Sequence, residues 1–271
     1  MVHKFALFAV GAALTLPAAA AHAQRRAKKP RPACGIIYLP LVAGNEWTYE
    51  YVPPPPPKKG EPPRLPLVFP PKKVHIKVLT VTPPKKGKRN APTVIELEET
   101  VSKLVKKTTL RCTRKSLEVS PQSFFFAGEP GGGVKMELIG LQRTGKSYPG
   151  AKGFRTITSN ELTITAGIKR EAAHPKLKLD TVNLSMTRTL TWEGPQKVSG
   201  PAGEFSKAIR IRLEVSGKVK LNNKETLFPQ NVPGALWFVK GVGLVKSYNT
   251  LGQQYQLTDI KPALPKKEGK K

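Results

Sequence analysis

Trp47, Tyr49 and Tyr51 alternate with Thr48 and Glu50, Val74, Ile76 and Val78 alternate with His75 and Lys77, and Ile209, Ile211, Leu213 and Val215 alternate with Arg210, Arg212 and Glu214. A period of two sends one set of side chains to a buried face and the other to water, so each run predicts an amphipathic β-strand. The same reading places strands over 93–101, 104–112, 134–142, 161–168, 181–192, 235–240, 243–248 and 254–260, with Gly, Pro, Asn and Ser clusters at 131–133, 200–203 and 221–224 punctuating them. No window carries a helical stripe longer than two turns. The prediction is an all-β or mostly β chain. A sheet of about ten strands cannot stay flat, so it should be a large curved antiparallel sheet or half-barrel.

Residues 236–248, Leu-Trp-Phe-Val-Lys-Gly-Val-Gly-Leu-Val-Lys-Ser-Tyr, contain two glycines spaced as in a nucleotide loop. A phosphate-binding loop needs a third glycine ahead of a helix, or a Gly-Lys-Ser/Thr ending, whereas here Leu244-Val245-Lys246 continues as a strand. Gly241 and Gly243 therefore read as a corner between two strands. Gly200-Pro201-Ala202-Gly203 has the same character, with Pro201 suited to the second position of a tight turn that feeds a strand beginning near Lys207.

Residues 1–23 start with Lys4, continue as an apolar stretch and end Ala21-His22-Ala23, the three-part pattern of a secretory signal peptide cleaved near Ala23. The apolar stretch is shorter than the roughly 20 residues of a membrane span, and no span is expected in the mature chain. The expected location is the periplasm or beyond it, at the cell surface or secreted. There a bridge between Cys34 and Cys112 becomes possible, with two buried free thiols as the alternative.

With 46 Lys and Arg against 18 Asp and Glu, the net charge is +28. An exported chain of this charge meets anionic envelope polymers and lipid headgroups before nucleic acid, so no specific nucleic-acid partner is expected. The charge is concentrated where Pro-Pro-Lys-Lys recurs, at Lys58 and Lys59, at Lys72 and Lys73, and at Lys85 and Lys86. Five consecutive prolines at 53–57 favour an extended conformation without sheet donors. The organisation expected is a signal peptide over 1–23, a basic flexible arm over 24–35, a single β-rich domain over 36–260 with Pro/Lys-rich loops at 53–73 and 83–92, and a basic tail over 261–271. The six lysines are candidate contacts for an anionic polymer, or else the marks of a solvated insertion.

Candidate chemistry is sparse. After cleavage the histidines are His75 and His174, and the aspartates of the chain are Asp180 and Asp259. No nucleophile-elbow motif accompanies them, and neither the cysteines nor the histidines have the spacing of a zinc site. Glu96, Glu98 and Glu99 lie among lysines and read as a solvated strand edge rather than as paired catalytic carboxylates. We therefore expect a protein without catalytic residues, metal or cofactor. Trp47, Tyr49, Trp192, Trp237 and Phe238 remain as candidates to line an apolar pocket for a lipid or other amphiphilic envelope ligand, the alternative being that they fill the core.

Three phrases carry a resemblance: Tyr38-Leu39-Pro40-Leu41 followed by Gly44-Asn45-Glu46-Trp47-Thr48-Tyr49, Ala202-Gly203-Glu204-Phe205 leading into Ala208-Ile209-Arg210-Ile211, and Trp237-Phe238-Val239-Lys240-Gly241-Val242-Gly243-Leu244-Val245-Lys246. Together, and in this order, they resemble a group of exported bacterial proteins of the TapB-like kind, whose domain is similar to the half-barrel lipoprotein carriers of the LolA type. The resemblance implies an exported curved antiparallel sheet able to enclose an apolar ligand. It brings no catalytic residue. The chain departs from many members in lacking a lipidation cysteine and in its strong positive charge.

Overall fold

The computed structural model describes residues 31–54, 70–87, 91–113, 115–120, 123–127, 136–145, 148–149, 159–170, 182–221, 224–227, 233–249 and 252–263. The expected signal peptide, Lys58 and Lys59, His174, Asp180 and the tail from 264 lie outside the described residues.

Among the described residues, fourteen strands form one open sheet. The first five are β1 (Glu46–Val52), β2 (Lys73–Thr82), β3 (Thr93–Val101), β4 (Leu104–Cys112) and β5 (Ser116–Glu118), followed by a one-turn helix α1 (Phe124–Ala127). Then come β6 (Met136–Gly145), β7 (Tyr148–Pro149), β8 (Ser159–Arg170), β9 (Val182–Gly200), β10 (Gly203–Leu221) and β11 (Lys224–Leu227). The last three are β12 (Gly234–Val239), β13 (Gly243–Tyr248) and β14 (Gln254–Lys261). Their order across the sheet is β6-β8-β9-β10-β12-β13-β14-β1-β2-β3-β4-β5-β7, with β11 beside β10. The described pairings are antiparallel, and β14 lies against β1, so the last strand completes the ladder of the first.

The period-two runs are strands as expected, and one face of the sheet carries Trp47, Tyr49, Val74, Ile76, Val78, Ile95, Leu97, Leu110, Ile209, Ile211, Leu213, Phe238 and Leu257 into the core. Register shifts at Thr48/Tyr49, Val78/Thr80, Arg210/Ile211 and Trp237/Phe238 bend the strands that carry them. The curved face is filled by the segment before β1, where Ile36, Leu39 and Leu41 are buried, and by Phe124 and Phe125 of α1. Cys34 and Cys112 are bridged, with Cα atoms 6.1 Å apart, which fastens that segment to β4.

Of the flexible arm expected over 24–35, residues 31–35 are described. Ala33 donates its N–H to the Leu41 carbonyl at 3.0 Å and is buried, so the fold already includes this residue. At the other end, Ala263 donates its N–H to Asn45 Oδ1 at 2.6 Å, which fixes the first residues assigned to the tail.

Gly241 and Gly243, at φ 77° and 113°, turn β12 back into β13, and a Cβ on Gly243 would meet the Trp47 indole nitrogen at 3.1 Å. Strand β9 runs eight residues beyond the expected end at Trp192, as far as Gly200. The strand passes Gly194-Pro195 through a bulge: Arg210 faces Gly194 and Ile211 faces Trp192, leaving Glu193 as the extra residue. Gly200 and Gly203 then flank a two-residue turn at Pro201-Ala202, and β10 starts at Gly203 rather than near Lys207.

Candidate functional site

The structure divides the aromatic candidates between two faces. Trp47, Tyr49 and Phe238 are fully buried on the core face. The Trp47 ring meets Phe125 edge-on at 5.7 Å, and Tyr49 lies 4.7 Å from Phe124, which in turn packs edge-on against Tyr255 at 5.7 Å. Their polar atoms are engaged as well. The Trp47 indole N–H donates to the Val242 carbonyl at 2.7 Å and the Tyr49 hydroxyl to the Leu244 carbonyl at 2.9 Å. Burial first, and then the Glu99 charge, push the Tyr49 phenol well above the ordinary tyrosine range. Trp192 and Trp237 are both half-buried at the margin of the core, Trp192 opposite Ile211 and Trp237 opposite Arg210, so the five residues do not line one open surface.

Glu99 corrects the reading of the acidic run. Strand β3 is flanked by β2 and β4 and is no edge, and Glu99 shares the core face with Ile95, Leu97 and Val101. Its carboxylate is fully buried, accepts from Ser123 Oγ at 2.5 Å and from the Phe124 N–H at 3.1 Å, and pairs with Lys106 Nζ at 3.0 Å. This is the anchor that holds α1 and its two phenylalanines against the sheet.

His75 lies on the polar face, as its alternation predicts, with Nδ1 3.2 Å from Thr48 Oγ1 and Nε2 3.7 Å from Glu46 Oε2. Glu46 also accepts from Lys77 Nζ at 3.0 Å and faces Lys261 at 3.9 Å. The Lys77 hydrogen bond, aided by the neighbouring cations, holds its carboxyl below the usual range against the opposing effect of burial. Among the described residues no group of three His, Cys, Asp or Glu could hold a metal ion.

The Pro-Pro-Lys-Lys lysines are placed at opposite ends of one strand. Lys72 and Lys73 stand at the start of β2, Lys85 and Lys86 just beyond its end, and all four are exposed. A ten-residue strand at about 3.3 Å per residue separates the two pairs by roughly 30 Å.

A polar cluster on the face opposite the core was not anticipated. Arg210, Trp237 and Lys246 are direct cross-strand partners on β10, β12 and β13, and the register continues through Gln256 and Glu50 to Lys73. The Arg210 guanidinium carbon lies 5.5 Å and Lys246 Nζ 5.0 Å from the Trp237 ring centroid, both within cation–π range. Arg210 pairs with Glu193 at 2.7 Å, and the Trp237 indole N–H donates to Gln196 Oε1 at 3.3 Å. The end of the β9–β10 hairpin reaches further: Ala202 donates its N–H to the Leu257 carbonyl at 3.2 Å, and a Cβ on Gly200 would lie 3.5 Å from the Gln256 side-chain oxygen. Lys246, whose ladder partners are Trp237 and Gln256, therefore sits between two contacts made by this hairpin. Burial, and then the Arg210 charge, lower its pKa from the ordinary lysine value.

No protein-family model matches the chain, so the resemblance to the TapB-like and LolA-type proteins rests on the quoted phrases alone. No curated protein matches it. Among solved structures, it is similar to a Bacteroides fragilis protein assigned as exported and having a YmcC-like fold, at 13% identity and a TM-score of 0.44. It is also similar to a Parabacteroides distasonis protein assigned as a lipoprotein, at 14% identity and a TM-score of 0.47. Each comparison covers 83% of this chain and 99% of the other. At these TM-scores neither likeness bears on what the chain binds.

Proposed function

We propose that this is an exported, non-enzymatic protein that binds an anionic glycan of the cell envelope on the basic outer face of its sheet. The observation that carries the reading is the cross-strand row Arg210–Trp237–Lys246–Gln256–Glu50–Lys73 across six adjacent strands, in which three cations and an aromatic ring stand against two carboxylates, Glu50 of the row and Glu193 beside Arg210. The exposed lysines at both ends of β2 extend the positive surface, and the signal-peptide pattern and the Cys34–Cys112 bridge suit an oxidising envelope compartment. Carriage of an apolar ligand in the concavity is the weaker reading, because Trp47, Tyr49 and Phe238 are covered by the protein's own segments.

Retention on immobilised heparin and on lipopolysaccharide, measured at two salt concentrations, tests the proposal. Binding through such a surface weakens steeply as salt rises, and the combined substitution of Lys72, Lys73, Lys85 and Lys86 by Glu lowers retention on both supports. Retention indifferent to salt, or unchanged in the fourfold variant, counts against it.

A further inference from the structure

We propose that Lys246 is the anchoring contact of a discrete anion subsite, with Arg210 and Trp237 beside it, which takes a singly charged oxyanion such as a uronate carboxylate or a phosphodiester of the glycan. This deepens the anionic-glycan reading and rests on it.

Charge balance is the first ground. Two cations face the Trp237 ring, and the carboxylate in the cluster, Glu193, is engaged by the Arg210 guanidinium. Among the described residues Lys246 has no carboxylate within ion-pair distance, so the cluster carries one uncompensated positive charge. Partly desolvated ammonium groups ordinarily have a counter-charge.

The second ground is hydrogen-bonding capacity. Arg210 Nε is a buried donor with no acceptor, although the other end of the guanidinium is paired. Buried donors are ordinarily satisfied, and an orphan of this kind calls for an explanation. The indole N–H of Trp237 is already given to Gln196, so the donor capacity left in the cluster belongs to the two cations.

The third ground is position. Gln196 and Ala202 of the β9–β10 hairpin hydrogen-bond to Trp237 and to the Leu257 carbonyl, next to Gln256, on either side of Lys246 in the sheet register. An oxyanion seated there meets a charge whose surroundings are fixed by packing, which distinguishes it from the solvated lysines at the ends of β2.

The test is an NMR titration that follows the Trp237 indole N–H, assigned through Trp237→Phe. The probes are glucuronate, dimethyl phosphate and neutral glucose. The expected result is a saturable, one-to-one shift with at least one of the two anions and none with glucose. Which anion gives the tighter binding tells a uronate source from a phosphodiester source. Lys246→Met weakens the binding at least tenfold, Lys246→Arg retains it, and Lys207→Met, at an exposed position on β10, leaves it within twofold. Loss in both Lys246 variants, loss in neither, or an equal response to glucose overturns the subsite. The broader reading is judged separately on heparin. A fourfold lysine variant that loses heparin retention but keeps the Trp237 shift shows the subsite to be independent of the β2 lysines. A wild-type protein that gives the shift but ignores heparin retains the subsite and loses the polymer reading.

Discussion

The indole N–H of Trp47 on β1 donates to the carbonyl of Val242, 195 positions later, at 2.7 Å. The register between β13 and β14 covers Lys246 to Tyr248, so the turn and the start of β13 are met by side chains of β1 instead. Trp47→Phe keeps most of the ring and removes the donor, leaving the carbonyl short of a partner. The expected cost is about 1–3 kcal/mol, read as a lower urea midpoint with an unchanged slope. A loss under about 0.5 kcal/mol would show that the bond adds little to stability.

Glu99 is a point where a single substitution removes several interactions at once. Glu99→Ala takes the acceptor from Ser123 Oγ, from the Phe124 N–H and from Lys106. Breaking a buried pair in this way costs about 3–5 kcal/mol, whereas Ser123→Ala, which leaves the ion pair, should cost about 1 kcal/mol. Thermal unfolding of the two variants side by side gives the comparison, and equal losses would contradict the role assigned to the carboxylate.

The Cys34–Cys112 bridge closes a loop of 78 positions. In the loop-entropy model such a closure contributes roughly 4 kcal/mol, and replacing both cysteines by serine should lower the melting temperature accordingly. Alkylation of the unfolded, unreduced protein should label neither cysteine.

Glu46 makes stability depend on pH in a defined direction. Its carboxyl pKa is depressed in the folded state, chiefly by the Lys77 hydrogen bond, so its contribution is fully present above the unfolded carboxylate range. It is lost as pH falls through the lower, folded value. The stability gap between wild type and Glu46→Gln should therefore be widest near neutrality and should shrink on acidification. Denaturant midpoints from pH 7 to pH 3 measure it, and a gap that widens toward acid would contradict the depressed pKa.

Much of this architecture was legible because a strand's period of two is local information. Trp47 and Tyr49, Ile76 and Val78, and Ile209 and Ile211 declare their face without knowledge of their neighbours. The same rule applied strictly would have put Glu99 with Ile95, Leu97 and Val101, but three glutamates close together among lysines look solvated, and the residues that satisfy Glu99 come from β4 and from the start of α1. The strand expected over 181–192 continues to Gly200 because nothing local announces the bulge at Glu193 that carries the chain past Pro195. Arg210, Trp237 and Lys246 belong to three strands, and only the pairing register makes them neighbours.

The pairing of β1 with β14 has a consequence for the order of events in folding. Thr258 of β14 donates its hydroxyl to the Thr48 carbonyl of β1, 210 positions away, so a central seam of the sheet joins the two ends of the described chain. Contacts of such separation are slow to form, and this one cannot form until nearly the whole polypeptide is available. A nascent chain therefore holds an incomplete sheet with β1 exposed along one edge. In the exported role proposed above, that delay leaves the β1–β14 seam open until the last strand is available.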